Sequence, residues 1–130
     1  MPLRVFKDLG FEKDFAAAHG VADDTLMAAA AKIDSGLIDA RLGPFLLKKR
    51  VAAPGRGKSR SWRVIVAWRQ GDRLFFLHGF AKSEKDNITK KEKAALTRLA
   101  EQYMGFDEIT LHAAVAKGNL LEIGCNEQNS

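Results

Sequence analysis

Apolar positions recur along this chain with two different periods, and the change of period divides it. Arg4-Val5-Phe6 predicts a short strand, after which Phe11, Phe15 and Ala18 follow at helical spacing up to Gly20, a C-cap residue. A second helix is predicted from Asp23 or Asp24, both good N-cap residues, with Leu26, Ala29, Ala30 and Ile33 on one face and Gly36 at its end. From Phe45 the period falls to two: Phe45, Leu47, Lys49 and Val51 point one way, and Leu46, Lys48 and Arg50 the other. A loop from Pro54 to Ser59 interrupts this strand. Trp62 to Trp68 and Leu74 to Phe80 are the clearest strands, joined around Gly71-Asp72.

A two-residue loop at Gly71-Asp72 would pair Gln70 with Arg73, Ile65 with His78 and Arg63 with Phe80. One face then carries Val64, Val66, Trp68, Phe75 and Leu77 and packs on the helices. The other carries Arg63, Ile65, Ala67, Phe76, His78 and Phe80, continued by Lys82, and is left open. Arg73 reads as a surface residue at the turn. Thr89-Lys90-Lys91-Glu92 is a capping box that starts a helix through Leu96, Leu99 and Tyr103 to about Gly105. Asp107 caps a short helix ending near Gly118, and Leu120-Leu121-Glu122-Ile123 reads as an edge strand. The expected fold is α+β: an antiparallel sheet with helices packed on one face, in a single domain spanning residues 1–130 with a frayed tail from about 124.

Length and composition agree with one such domain: 130 residues, 46% hydrophobic and 28% charged, hold one core and exclude a multidomain enzyme. The absence of a long apolar run predicts a cytoplasmic protein with no membrane partner. Cys125 stands alone, and His19, His78 and His112 are scattered, so no metal site and no cofactor is expected.

Charge alters the picture. The net +5 conceals 15 basic against 4 acidic side chains between residues 48 and 98, a net of +11, flanked by net-acidic segments. Lys48, Lys49, Arg50, Arg56, Lys58, Arg60 and Arg63 follow one another without an intervening acid, a density that suits a polyanionic partner. Ala52 to Ser59 nearly spells a phosphate-binding loop, but Ala52 replaces its first glycine and a strand follows where a helix is required, which rules out a nucleoside triphosphate site. The loop remains a candidate contact for a nucleic-acid backbone. His78 is the one histidine on a strand beside basic residues and could act as a general acid or base; a structural role is the commoner explanation. Arg63, amid apolar neighbours, carries a planar fork suited to a phosphate, the alternative being a surface pair with Glu84 or Asp86.

Several stretches together resemble the RelE/HigB-like toxins of type II toxin–antitoxin modules, in a phage-derived subgroup of the RelE/ParE superfamily. They are Gly36-Leu37-Ile38-Asp39-Ala40, Lys49 to Ser59, Arg63-Val64-Ile65, Gly71-Asp72-Arg73 and, most specifically, Gly79 to Ile88. The resemblance implies a compact RelE-like fold, an mRNA endoribonuclease that cuts without a metal on the ribosome, and a helix-turn-helix antitoxin as partner. It also implies that Lys48 and Arg50 match a catalytic strand pair, Arg63 a strand arginine, and Lys82 or Lys85 a terminal basic residue. The chain lacks the tyrosine that the better-known branch places near Ile88. Two other functions stay open: a gyrase poison of the ParE type without nuclease activity, and a non-catalytic nucleic-acid-binding module.

For cleavage, the ribose 2′-OH attacks its own 3′-phosphate, which needs a base, positive charge on the phosphorane and an acid for the departing 5′-oxygen. The candidates are Lys48 or His78 as base, Arg50 and Arg63 on the phosphate, and Lys82 or Lys85 as acid. Lys49, Arg56, Lys58 and Arg60 are candidate RNA contacts, with Phe80 as a stacking platform.

Overall fold

The computed structural model describes residues 3–52, 61–82 and 87–124. Strand β1 (Arg4–Asp8) leads into helix α1 (Leu9–Phe11), a π-helical segment (Glu12–Ala16) and α2 (Ala17–His19). The Asp8 carboxylate accepts from the Gly10 N–H at the start, and Gly20, at φ 66°, ends the run in the left-handed conformation that a glycine adopts without strain. Helix α3 (Asp23–Asp34) turns its stripe of Leu26, Ala29, Ala30 and Ile33 into the core. Strands β2 (Ala40–Arg41), β3 (Leu46–Ala52), β4 (Ser61–Arg69) and β5 (Arg73–Ala81) follow, then α4 (Lys90–Met104), α5 (Glu108–Ala116) and β6 (Leu120–Ile123). The Thr89–Glu92 capping box that opens α4 is formed in both directions.

The architecture is α+β, as expected, but two finer expectations are corrected. The six strands lie in the order β2-β3-β4-β5-β1-β6, and β1 enters the middle of the sheet parallel to β5, so the sheet is mixed. Helices also cover both faces. The first face packs Leu47, Val51, Trp62, Val64, Val66, Trp68, Leu74 and Phe76 against the helices of the N-terminal third. On the second, Phe6, Leu46, Ile65, Ala67, Phe75 and Leu77 meet Ala100, Tyr103 and Met104 of α4 and Leu111 of α5. The physical reason is that the apolar stripe of α4 itself needs an apolar surface, and the second face is the one left to it.

A β-bulge explains which residues face where. The pairs Ile65–His78 and Arg63–Phe80 form as expected, but nearer the turn Arg69 pairs with Arg73, Trp68 with Leu74 and Val66 with Phe76. The loop is therefore one residue longer than a two-residue turn, and the register shift between Ile65 and Val66 restores the outer pairing. Phe75 and Leu77 consequently join the second core, and Phe76 the first, the reverse of the unbulged alternation. Arg73 is buried, not exposed: it donates to the carbonyl of Phe106 at 2.9 Å and lies 3.4 Å from the Glu108 carboxylate.

Polar contacts tie the layers together on both sides of the sheet. Lys7, on β1, is 7% exposed and ion-paired with Glu12 and with Asp23 at 2.9 Å. Burial works against its charge, but the hydrogen bonds to the two carboxylates outweigh it and raise its proton affinity above the ordinary lysine value. On the opposite side the Tyr103 hydroxyl donates to Asp8. Burial, then this contact with Asp8, push the phenol's titration upward.

Candidate functional site

The site grows from the far half of the hairpin and its neighbour β3, where the strands alternate basic and apolar residues. Strand pairing places Lys48 beside Ile65 and Ile65 beside His78; one row on, Arg50 lies beside Arg63 and Arg63 beside Phe80. Neighbouring strands stand about 4.8 Å apart, so Lys48 and His78 are about 10 Å apart across the sheet, a span that long side chains can close over one phosphate. All of these residues project from the second face. Arg50 is exposed, and Lys48, Arg63 and His78 are half-buried.

The Arg63 guanidinium donates to the Ser61 hydroxyl at 2.9 Å, a contact that aims the fork and leaves its other donors available. Asp39 accepts from the backbone N–H of Arg50, fixing that part of the β3 edge. Exposed Lys82 closes the end of β5, its N–H donating to the Ser61 carbonyl at 3.1 Å. The first turn of α4 lies over the same face: Glu92 Oε2 is 3.9 Å from His78 Nε2. Beside His78, a cavity of about 250 Å³ separates β5 from the first helical run, with Asp8, Asp14, Phe15 and Gly79 among its lining residues. Gly79 is required there, because a Cβ at this position would meet the Phe15 ring at 2.5 Å.

Lys48, Arg50, Arg63 and His78 thus share one face, with Lys82 at its end. Lys49 does not join them; it points to the α3 side and donates to the Leu37 carbonyl at 2.9 Å. Phe80 is 5% exposed and belongs to the second core, so its ring is not presented for stacking on a base. The physical reason is again α4, which covers the apolar end of the face the sequence pattern left open. Lys85, Arg56, Lys58 and Arg60 lie outside the described residues. Sequence reasoning missed the proximity of Glu92 to His78: the capping box marks where α4 begins, but nothing in its local pattern says where α4 docks. Among the described residues no group of three or more His, Cys, Asp or Glu side chains is placed to hold a metal ion. Nor is any helix there long and apolar enough to cross a membrane.

A profile of the family described as the RelE toxin of the RelE/RelB toxin–antitoxin system matches residues 3–123. The match takes in nearly the whole chain, which therefore belongs to the RelE toxin family: it is a toxin of a toxin–antitoxin system, and an antitoxin is its partner. A search of curated proteins gave no match.

Proposed function

We propose that the protein is an mRNA endoribonuclease that cleaves by transfer to the ribose 2′-OH, without a metal ion. The observation that carries this reading is the convergence of Lys48, Arg50, Arg63 and His78 on one face, two of them paired across β3 and β4. Arg50 and Arg63 bind the scissile phosphate and stabilise charge on its equatorial oxygens. Lys48 or His78 takes the 2′-OH proton, and Lys82 or Lys85 supplies one to the departing 5′-oxygen. Membership of the RelE family supports the same chemistry. In this reading the chain works as one domain in the cytoplasm on ribosome-bound mRNA, and its antitoxin is a helix-turn-helix protein encoded beside it.

The test is purified protein with translating ribosomes and mRNA in excess chelator. Cuts ending in a 2′,3′-cyclic phosphate and a 5′-hydroxyl are expected. Intact mRNA together with inhibited gyrase would move the protein to the ParE-type function, and retention of RNA without cleavage would make it a binding module.

A further inference from the structure

We propose that Glu92 is a positioning residue for His78, holding its imidazole in the tautomer and charge state that accept the 2′-OH proton; this deepens the nuclease reading and rests on it. Among the described residues the Glu92 carboxylate has two engagements. Oε1 accepts from the Thr89 backbone N–H at 2.8 Å, which closes the capping box and fixes the side chain at the mouth of α4. Oε2 then lies 3.9 Å from Nε2 of His78. That distance exceeds a hydrogen bond but is an ion-pair distance once the ring is protonated.

Nε2 is also buried, with less than 1 Å² of accessible surface. A nitrogen shut off from solvent does not exchange a proton with substrate, so that task falls to Nδ1. The carboxylate beside Nε2 favours a proton there, leaves the Nδ1 lone pair as acceptor, and stabilises the imidazolium formed when Nδ1 takes the proton. In the step itself the 2′ proton passes to Nδ1 as the O2′–P bond forms. The P–O5′ bond breaks, and O5′ takes a proton from Lys82 at the end of β5.

Other charges act on the ring as well. Lys48 on β3 shares its cross-strand row, Arg63 on β4 stands one row away, and Lys82 ends its own strand; these oppose the imidazolium. Asp8 and Asp14, across the adjoining cavity, favour it. Among the described residues Glu92 is the one whose carboxylate stands at ion-pair distance from the ring with its side chain fixed by the capping box.

Glu92→Gln is the discriminating variant, because glutamine also serves at the third helical position of a capping box and keeps α4 while removing the charge. The pH–rate profile for mRNA cleavage and the ¹⁵N-detected titration of His78 are measured for parent and variant. A base works deprotonated, so activity rises with pH through its titration, and Glu92 moves that rise upward. In the variant both the rise and the His78 midpoint should fall by about half to one pH unit, the size left to a half-exposed pair after solvent screening. The melting temperature should hardly move. An active parent whose profile and His78 titration are unchanged in Glu92→Gln overturns the role of Glu92 alone. A parent that cleaves no mRNA overturns the nuclease reading, and this role with it.

Discussion

The two faces of the sheet use neighbouring residues of the same strands for opposite ends. At the far end of the first face, Val51 and Trp62 form a pair that the N-terminal helices bury to 6% and 8% exposure. Directly behind it, on the second face, the pair is Arg50 and Arg63, and α4 leaves it accessible. The nearer rows do not differ in this way: Leu47 and Val66 are fully buried on one side, as are Leu46 and Ala67 on the other. One half of the sheet is thus a core on both faces, and the other is a core on one face and a charged platform on the other. The covered face gives the strands a rigid backing, and rigid strands hold charged side chains more precisely than a loop does.

That contrast fails if the platform is needed for folding, which makes Arg63→Ala the sharpest test and the one with the largest expected effect. Removal of a preorganised charged donor should lower cleavage roughly a hundredfold. Arg63 lies off both apolar clusters, so its loss should change stability by about 1 kcal/mol or less. Of the two arginines at the hairpin turn, Arg69, exposed and paired with Asp72 at 2.7 Å, serves as the basic control, because Arg73 is buried and donates to the Phe106 carbonyl. Cleavage assays and thermal melts on Arg63→Ala and Arg69→Ala check both halves of the expectation. A well-folded Arg63→Ala protein as active as its parent would place the site elsewhere.

Lys7→Met probes the covered face in the reverse sense. The substitution keeps the apolar stem but leaves the Glu12 and Asp23 carboxylates without the ammonium that joins them. A loss of about 2 kcal/mol is expected, below the range for a fully buried pair because both acids retain contact with water. Cleavage per folded molecule should not change. The sign of the pH dependence follows from the raised proton affinity of Lys7: its contribution is complete below the ordinary lysine value near 10.4 and disappears as pH rises through the folded-state value. Denaturant melts of parent and variant should therefore differ by a constant amount through the neutral range, and the difference should shrink in strong alkali.

How much of this was legible beforehand depends on the range over which each feature is determined. Strand alternation groups Lys48 with Arg50, and the pairing that brings Arg63 and His78 to the same face holds because the bulge offsets the extra loop residue, so period two was legible there and the two compensating irregularities were not. The Thr89 capping box was equally local. The bulge between Ile65 and Val66 was not legible, since an extra residue in β5 leaves an apolar run looking the same; Phe75, Phe76 and Leu77 are apolar in either register. The parallel docking of β1 against β5 and the covering of Phe80 by α4 depend on contacts across the whole chain. A terminal strand aromatic gives the same sequence signal whether it is open or covered.

Thr89→Ala has the smallest expected effect, and it bears on the boundary between platform and core. Thr89 Oγ1 accepts from the Glu92 N–H at 3.0 Å, half of the capping box that anchors the first turn of α4 above His78. Losing this cap should cost about 1 kcal/mol, while the Leu99, Ala100, Tyr103 and Met104 contacts keep the rest of α4 on the second core. Hydrogen exchange should show faster opening at residues 90–93 and unchanged protection from about residue 100 onward. If Glu92 acts on His78 from that turn, fraying it should also weaken cleavage severalfold, an effect smaller than that of Arg63→Ala because the phosphate contacts remain in place. A Thr89→Ala protein with a frayed first turn and full activity would mean that the platform works without its roof, and that α4 serves the second core alone.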